Sequence, residues 1–94
     1  MRTVRSDLTV TELRTLVRSL VAYGYEIDRR GYVYRRIGIS DRHVGTLEWG
    51  GISVVEDPKV DAARQDVERI ALYLGRPNLD YVVNRARESY VPPL

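Results

Sequence analysis

Three features of the chain predict an α+β fold. A helix-spaced apolar stripe lies near the N-terminus, two alternating runs are broken by Asp28-Arg29-Arg30-Gly31 and by Gly50-Gly51, and two more helical stripes follow. The expected architecture is an N-terminal helix, an antiparallel sheet of about four strands made from two β-hairpins, and two C-terminal helices packed on one sheet face. The whole chain, residues 1–94, is expected to form a single α+β domain, since chains split into separate cores only well beyond this length.

The first helix is predicted from Val10 to Tyr23, because Leu13, Leu16, Val17, Leu20 and Val21 recur at the three-and-four spacing of one buried face. Thr9 with Glu12 forms a capping box, Leu8 is placed to staple onto Leu13, and Gly24 suits the position just past the end. Tyr25 to Asp28 and Tyr32 to Ile37 then read as a hairpin in which Ile27 faces Val33 and Tyr25 faces Arg35 on one surface. Glu26 with Tyr34, and Asp28 with Tyr32, fall on the other.

The second hairpin is predicted to turn at Gly50-Gly51, setting Trp49 opposite Ile52 and Leu47 opposite Val54 on the helix-packed face. Glu48, Ser53 and Thr46 then face away. Gly31 and Gly50 are assigned positive φ, and Gly38 to Gly45 is a link between the hairpins. A second helix opens on Asp57 as cap and Pro58 in the first turn, with Val60, Ala63, Val67, Ile70, Ala71 and Leu74 inward and Gly75 and Pro77 at its end. Asn78 is the expected cap of a last helix with Leu79, Val82, Val83, Ala86 and Tyr90 inward, closed by Pro92-Pro93.

Hydrophobic residues at 44% and charged residues at 30% are ordinary globular values, and no run approaches the roughly 20 apolar residues of a membrane span. With zero cysteines there is no disulfide framework and no thiolate metal site, so the cytoplasm is the expected compartment. The net charge of +2 is uneven: residues 1–45 hold nine basic and five acidic groups, residues 46–94 six and eight, which makes the halves +4 and −2. Such asymmetry steers acidic partners to one side and says nothing about fold.

The richest polar constellation is Arg29, Arg30, Tyr32, Tyr34, Arg35, Arg36, Arg42 and His43. Guanidinium groups pair with phosphate or carboxylate and tyrosine rings offer stacking faces, so this group is the candidate binding site. The bland alternative is a solvated sheet face whose arginines lie over tyrosines and meet Glu26, Asp28 and Asp41. His43 is the only histidine, and no carboxylate spacing around it suggests a metal site, so neither metal nor cofactor is expected.

Tyrosine occurs seven times and phenylalanine not at all, a bias typical of interfaces, although Tyr23, Tyr73 and Tyr81 are placed at core margins with hydroxyls reaching water. Asp61, Asp66 and Glu68 alternate with Arg64 and Arg69 on the second helix, a solvated ladder whose acidic side could meet the arginine-rich hairpin of a second copy in a homodimer.

Tyr32-Val33-Tyr34 followed by His43-Val44-Gly45 resembles the paired signature of GIY-YIG nucleases. The resemblance implies a site of Tyr32, His43 and Arg42, with Glu48 or Glu56 as metal ligand. The second triplet departs from the family in having His in place of Tyr, the stretch between the triplets is short, and a hairpin is predicted where the family has a helix.

The reading the residues favour is a small non-enzymatic interaction protein that binds a protein or acidic macromolecule through the Arg/Tyr face. Adaptors and inhibitors encoded by phages and mobile elements share its size and lack of motifs. A DNA- or RNA-binding protein using the same face is the alternative, and a small nuclease the third.

Overall fold

A computed structural model describes residues 1–90. The Pro92-Pro93 pair expected to close the last helix lies outside the described residues. In chain order the elements are β1 (Arg2–Arg5), α1 (Val10–Ala22), β2 (Glu26–Ile27), β3 (Tyr32–Ile37), β4 (Ser40–Glu48), β5 (Gly51–Val54), a 3₁₀ turn (Pro58–Val60), α2 (Asp61–Leu72) and α3 (Leu79–Ser89). The class is α+β as expected, with an antiparallel sheet, one helix (α1) between its first two strands in chain order and two helices after its last strand. The strands lie in the order β1-β5-β4-β3-β2.

α1 starts where its cap predicts. The Glu12 N–H donates to Thr9 Oγ1 at 3.1 Å and the Thr9 N–H donates to Glu12 Oε1 at 3.0 Å, so the capping box satisfies two N–H groups at once. The first hairpin also has its expected register, with Glu26 opposite Tyr34 and Ile27 opposite Val33. Asp28 Oδ1 accepts from the Arg30 and Tyr32 N–H groups at 2.9 and 3.0 Å and so holds the turn.

The sheet has five strands rather than about four, and the second hairpin is shifted. Leu47 pairs with Ile52 and Glu48 with Gly51, so the turn is Trp49-Gly50 and not Gly50-Gly51. Gly50 supplies the positive φ, +78°. Gly51 is needed for a different reason: a Cβ there would collide with the Arg5 carbonyl oxygen of β1. The unforeseen strand β1 and the shifted register thus share one cause, a glycine that admits a neighbouring backbone. As a result Trp49, expected in the core, is 96% exposed at the hairpin tip.

Gly38 to Gly45, expected as a link, is mostly β4, which pairs with β3 on one side and β5 on the other and joins both hairpins into one sheet. Val33 faces Gly45 but Tyr34 faces His43, so Val44 is an extra residue, a β-bulge. One apolar cluster, including Leu16, Leu20, Val33, Val44, Ile52, Val54, Val67, Ile70 and Val83, fills the space between sheet and helices. The smallest extent of the molecule is 21 Å, the depth of one sheet layer and one helix layer.

The C-terminal half differs from expectation in detail. Asp57 caps through the Lys59 N–H at 2.9 Å, but the first turn after it is 3₁₀ and α2 proper begins at Asp61. Asn78 stands at the N-cap of α3 without a side-chain capping bond. Tyr81, placed at a core margin by its sequence position, is 70% exposed.

The charged ladder of α2 is not simply solvated. Asp66 is buried, Arg64 pairs with both Asp61 and Glu68, and Arg2 of β1 reaches Glu68. Those acids already have intramolecular partners. Among the described residues no helix is long and apolar enough to cross a membrane.

Candidate functional site

The sheet has two unlike faces. Alternation along each strand sends Val33, Ile52 and Val54 toward the helices and leaves Thr3, Ser53, Thr46, Tyr32, Tyr34 and Arg36 on the other side, where no described element packs. Thr3, Ser53 and Thr46 stand directly opposite one another across three strands, with Ser53 Oγ 3.3 Å from Thr3 Oγ1 and donating to Glu48 Oε1 at 2.8 Å.

The bulge at Val44 decides where His43 goes. Strict alternation would put His43 and Thr46, three residues apart, on opposite faces. The extra residue resets the phase, so both point outward and His43 Nε2 lies 3.0 Å from Thr46 Oγ1. His43 thereby enters an aromatic group, its ring centroid 4.8 Å from that of Tyr32 and 5.7 Å from that of Tyr34. The Arg30 guanidinium lies over the Tyr32 ring at 4.3 Å and donates to Asp28 Oδ2 at 3.0 Å. Partial desolvation pushes the Asp28 carboxyl up, but the Tyr32 and Arg30 N–H groups and the Arg30 guanidinium outweigh it and hold the carboxyl below the usual carboxylate range.

Of the eight residues singled out from the sequence, five form this face: Arg30, Tyr32, Tyr34 and His43 in contact, and Arg36 beyond them, paired with Asp41 at 3.7 Å. Arg29 is exposed at the turn beside Arg30. Arg35 and Arg42 are separated from the group, because they pair with each other across β3 and β4 and so project to the helix side. Two like charges directly opposite repel, and Arg35 turns inward: it stacks on Tyr25 at 4.9 Å and donates to the Tyr23 carbonyl at 2.7 Å.

Trp49 is the residue the sequence reading missed. The Leu47 N–H donates to the Gly31 carbonyl at 2.7 Å, which docks the Arg29-Arg30 turn against the end of β4, and Trp49 stands two residues further on. The signal was present in the Trp-Gly order: a residue before a positive-φ glycine is as much a turn residue as a strand residue.

The residues that carry the nuclease resemblance divide in the same way. Tyr32 and His43 are adjacent, Arg42 is on the other face, Glu48 accepts from Ser53, Glu56 pairs with Arg2 at 2.6 Å, and His43-Val44-Gly45 lies within a strand. Compared with family models, with curated proteins and with solved structures, the chain gives no match in any of the three.

Proposed function

We propose that this chain is a non-enzymatic binding module of the adaptor or inhibitor kind, working in the cytoplasm, and that it engages a protein through the uncovered sheet face. The observation that carries this reading is the contiguous Arg30-Tyr32-His43-Tyr34 group on a face that no described element covers. Trp49 is exposed at the tip of the β4–β5 hairpin, at the sheet end where the Gly31 carbonyl accepts from the Leu47 N–H. Tyrosine, tryptophan and arginine are the residue types in which interface energy concentrates.

Charge favours a protein over a nucleic acid as partner. Arg30 meets Asp28 and Arg36 meets Asp41, so a phosphate would have to compete with carboxylates already in place. The test starts from a partner recovered from lysate and re-measured as a purified pair. Trp49→Ala and Tyr34→Ala should each weaken binding by about 2 kcal/mol, and Arg30→Glu with Arg36→Glu by more, each variant being checked as folded by circular dichroism at the temperature of the binding measurement. Undiminished binding by all three variants would exclude this face.

A nucleic-acid reading is supported by one observation, the three neighbouring rings of Tyr32, His43 and Tyr34, tilted 31° and 48° at the two contacts, because bases stack on exposed aromatic side chains. It predicts binding of a labelled oligothymidylate with a log–log salt slope of about −0.7 per phosphate contacted, whereas the protein reading predicts no saturable binding of that probe.

A further inference from the structure

On the helix side of the sheet, between the end of β3, the start of α2 and the last turn of α3, lies a cleft of about 480 Å³. That size is within the roughly 300–1,000 Å³ of small-molecule sites. Its apolar lining includes Ile37, Val60 and Ala86, and it also holds two carboxylates and several cations.

Pairing up those charges leaves a surplus of one sign. Asp66 accepts from Arg87 Nε at 2.6 Å and from the Tyr25 hydroxyl at 3.3 Å, and Asp61 is paired with Arg64. Arg35, Lys59 and Arg69 have no carboxylate partner among the described residues. Arg35 has only the Tyr23 carbonyl and the Tyr25 ring, and Arg69 Nη2 reaches Gln65 Oε1 at a marginal 3.5 Å. Three uncompensated cations around an apolar cleft select a ligand that is anionic at one end and apolar at the other.

We infer that this cleft binds a small organic anion, a carboxylate on an apolar body, with Arg35, Lys59 and Arg69 holding the carboxylate and the Ile37, Val60 and Ala86 surface covering the body. A guanidinium presents a fork of donors to a carboxylate, and the apolar surface gives binding energy that a bare inorganic ion cannot collect. The site is on the opposite side of the sheet from Tyr32 and His43, so it stands or falls apart from the protein-binding reading.

The test is an NMR titration of the full chain with three probes: octanoate, octanol as the same body without charge, and inorganic phosphate as charge without body. Octanoate should saturate below its micelle concentration with the largest amide shifts at Val60, Ala63 and Ala86, and both other probes should bind at least about tenfold more weakly. Lys59→Gln with Arg69→Gln should weaken octanoate about tenfold and leave octanol and the melting temperature unchanged. This pair is preferred to an Arg35 variant, because Arg35 also ties β3 to the Tyr23 carbonyl. Equal binding of octanol or phosphate, shifts centred outside the cleft, or no saturable octanoate binding would each overturn the inference.

Discussion

A tryptophan with 96% of its surface in water does nothing for the core, so Trp49→Ala should change stability by no more than about 0.5 kcal/mol, and a thermal melt checks it. A loss of several kcal/mol would mean that the side chain is packed after all. The opposite holds two residues on: Gly51→Ala places a methyl against the Arg5 carbonyl and should cost about 3 kcal/mol or more, or detach β1, which amide exchange along β5 would register. Asp28 carries a pH dependence. Its folded pKa is depressed, so the stability it contributes is present above the ordinary carboxylate value near 4 and is lost as pH falls through the lower folded value. The Arg30 and Tyr32 amides should therefore stay protected down to about pH 4 and lose protection below it, and Asp28→Asn should abolish that step.

Elements in this chain are held by a few polar ties across the apolar cluster. β1 is bound to α2 by Arg5, whose Nη1 donates to the Ala71 carbonyl at 3.0 Å, and by Arg2 reaching Glu68. α3 is bound to α2 through Val83 and through Arg87 on Asp66, a carboxylate with 8% of its side chain exposed that also accepts from Tyr25. Asp66→Asn keeps the shape and loses the charge. Because Arg87 is about one-third exposed and partly screened, the expected loss is about 1–2 kcal/mol, measured by denaturant titration. An unchanged midpoint would show that the tie between α2 and α3 is purely apolar.

At the scale of the whole molecule, two tyrosines tie stability to pH on the alkaline side. Desolvation, with Asp80 as acceptor, pushes the Tyr23 phenol up to about 12, and desolvation beside Asp66 raises Tyr25 as well. The folded state thus prefers both phenols protonated, and the stability tied to that preference is present below the ordinary value near 10 and is lost as pH rises through the raised values. Ultraviolet titration should show two of the seven tyrosines ionising late and together with loss of near-ultraviolet dichroism. The absence of any late-ionising tyrosine, with the fold intact, would show that Tyr23 and Tyr25 are open to solvent.

Local chemistry written in a few adjacent residues was legible without a structure. The capping box of Thr9 and Glu12, the Asp28-to-Gly31 turn with its strand register, the positive φ of Gly31 and Gly50, and the α+β class all follow from periodicity and from side chains that bond their own backbone. The clustering of Arg30, Tyr32, Tyr34 and His43 was legible too, although not its geometry. What depended on distant partners was not. Arg2–Arg5 becomes a strand only because β5 offers an edge and Gly51 admits its backbone, and the same glycine moves Trp49 from the core to the tip. The bulge at Val44 turns His43 outward because β4 must satisfy β3 and β5 at once, and Asp66 goes inward because Arg87 and Tyr25 arrive from other elements to meet it. A residue's face depends on the neighbour it pairs with, and that neighbour is chosen by the closed tertiary structure.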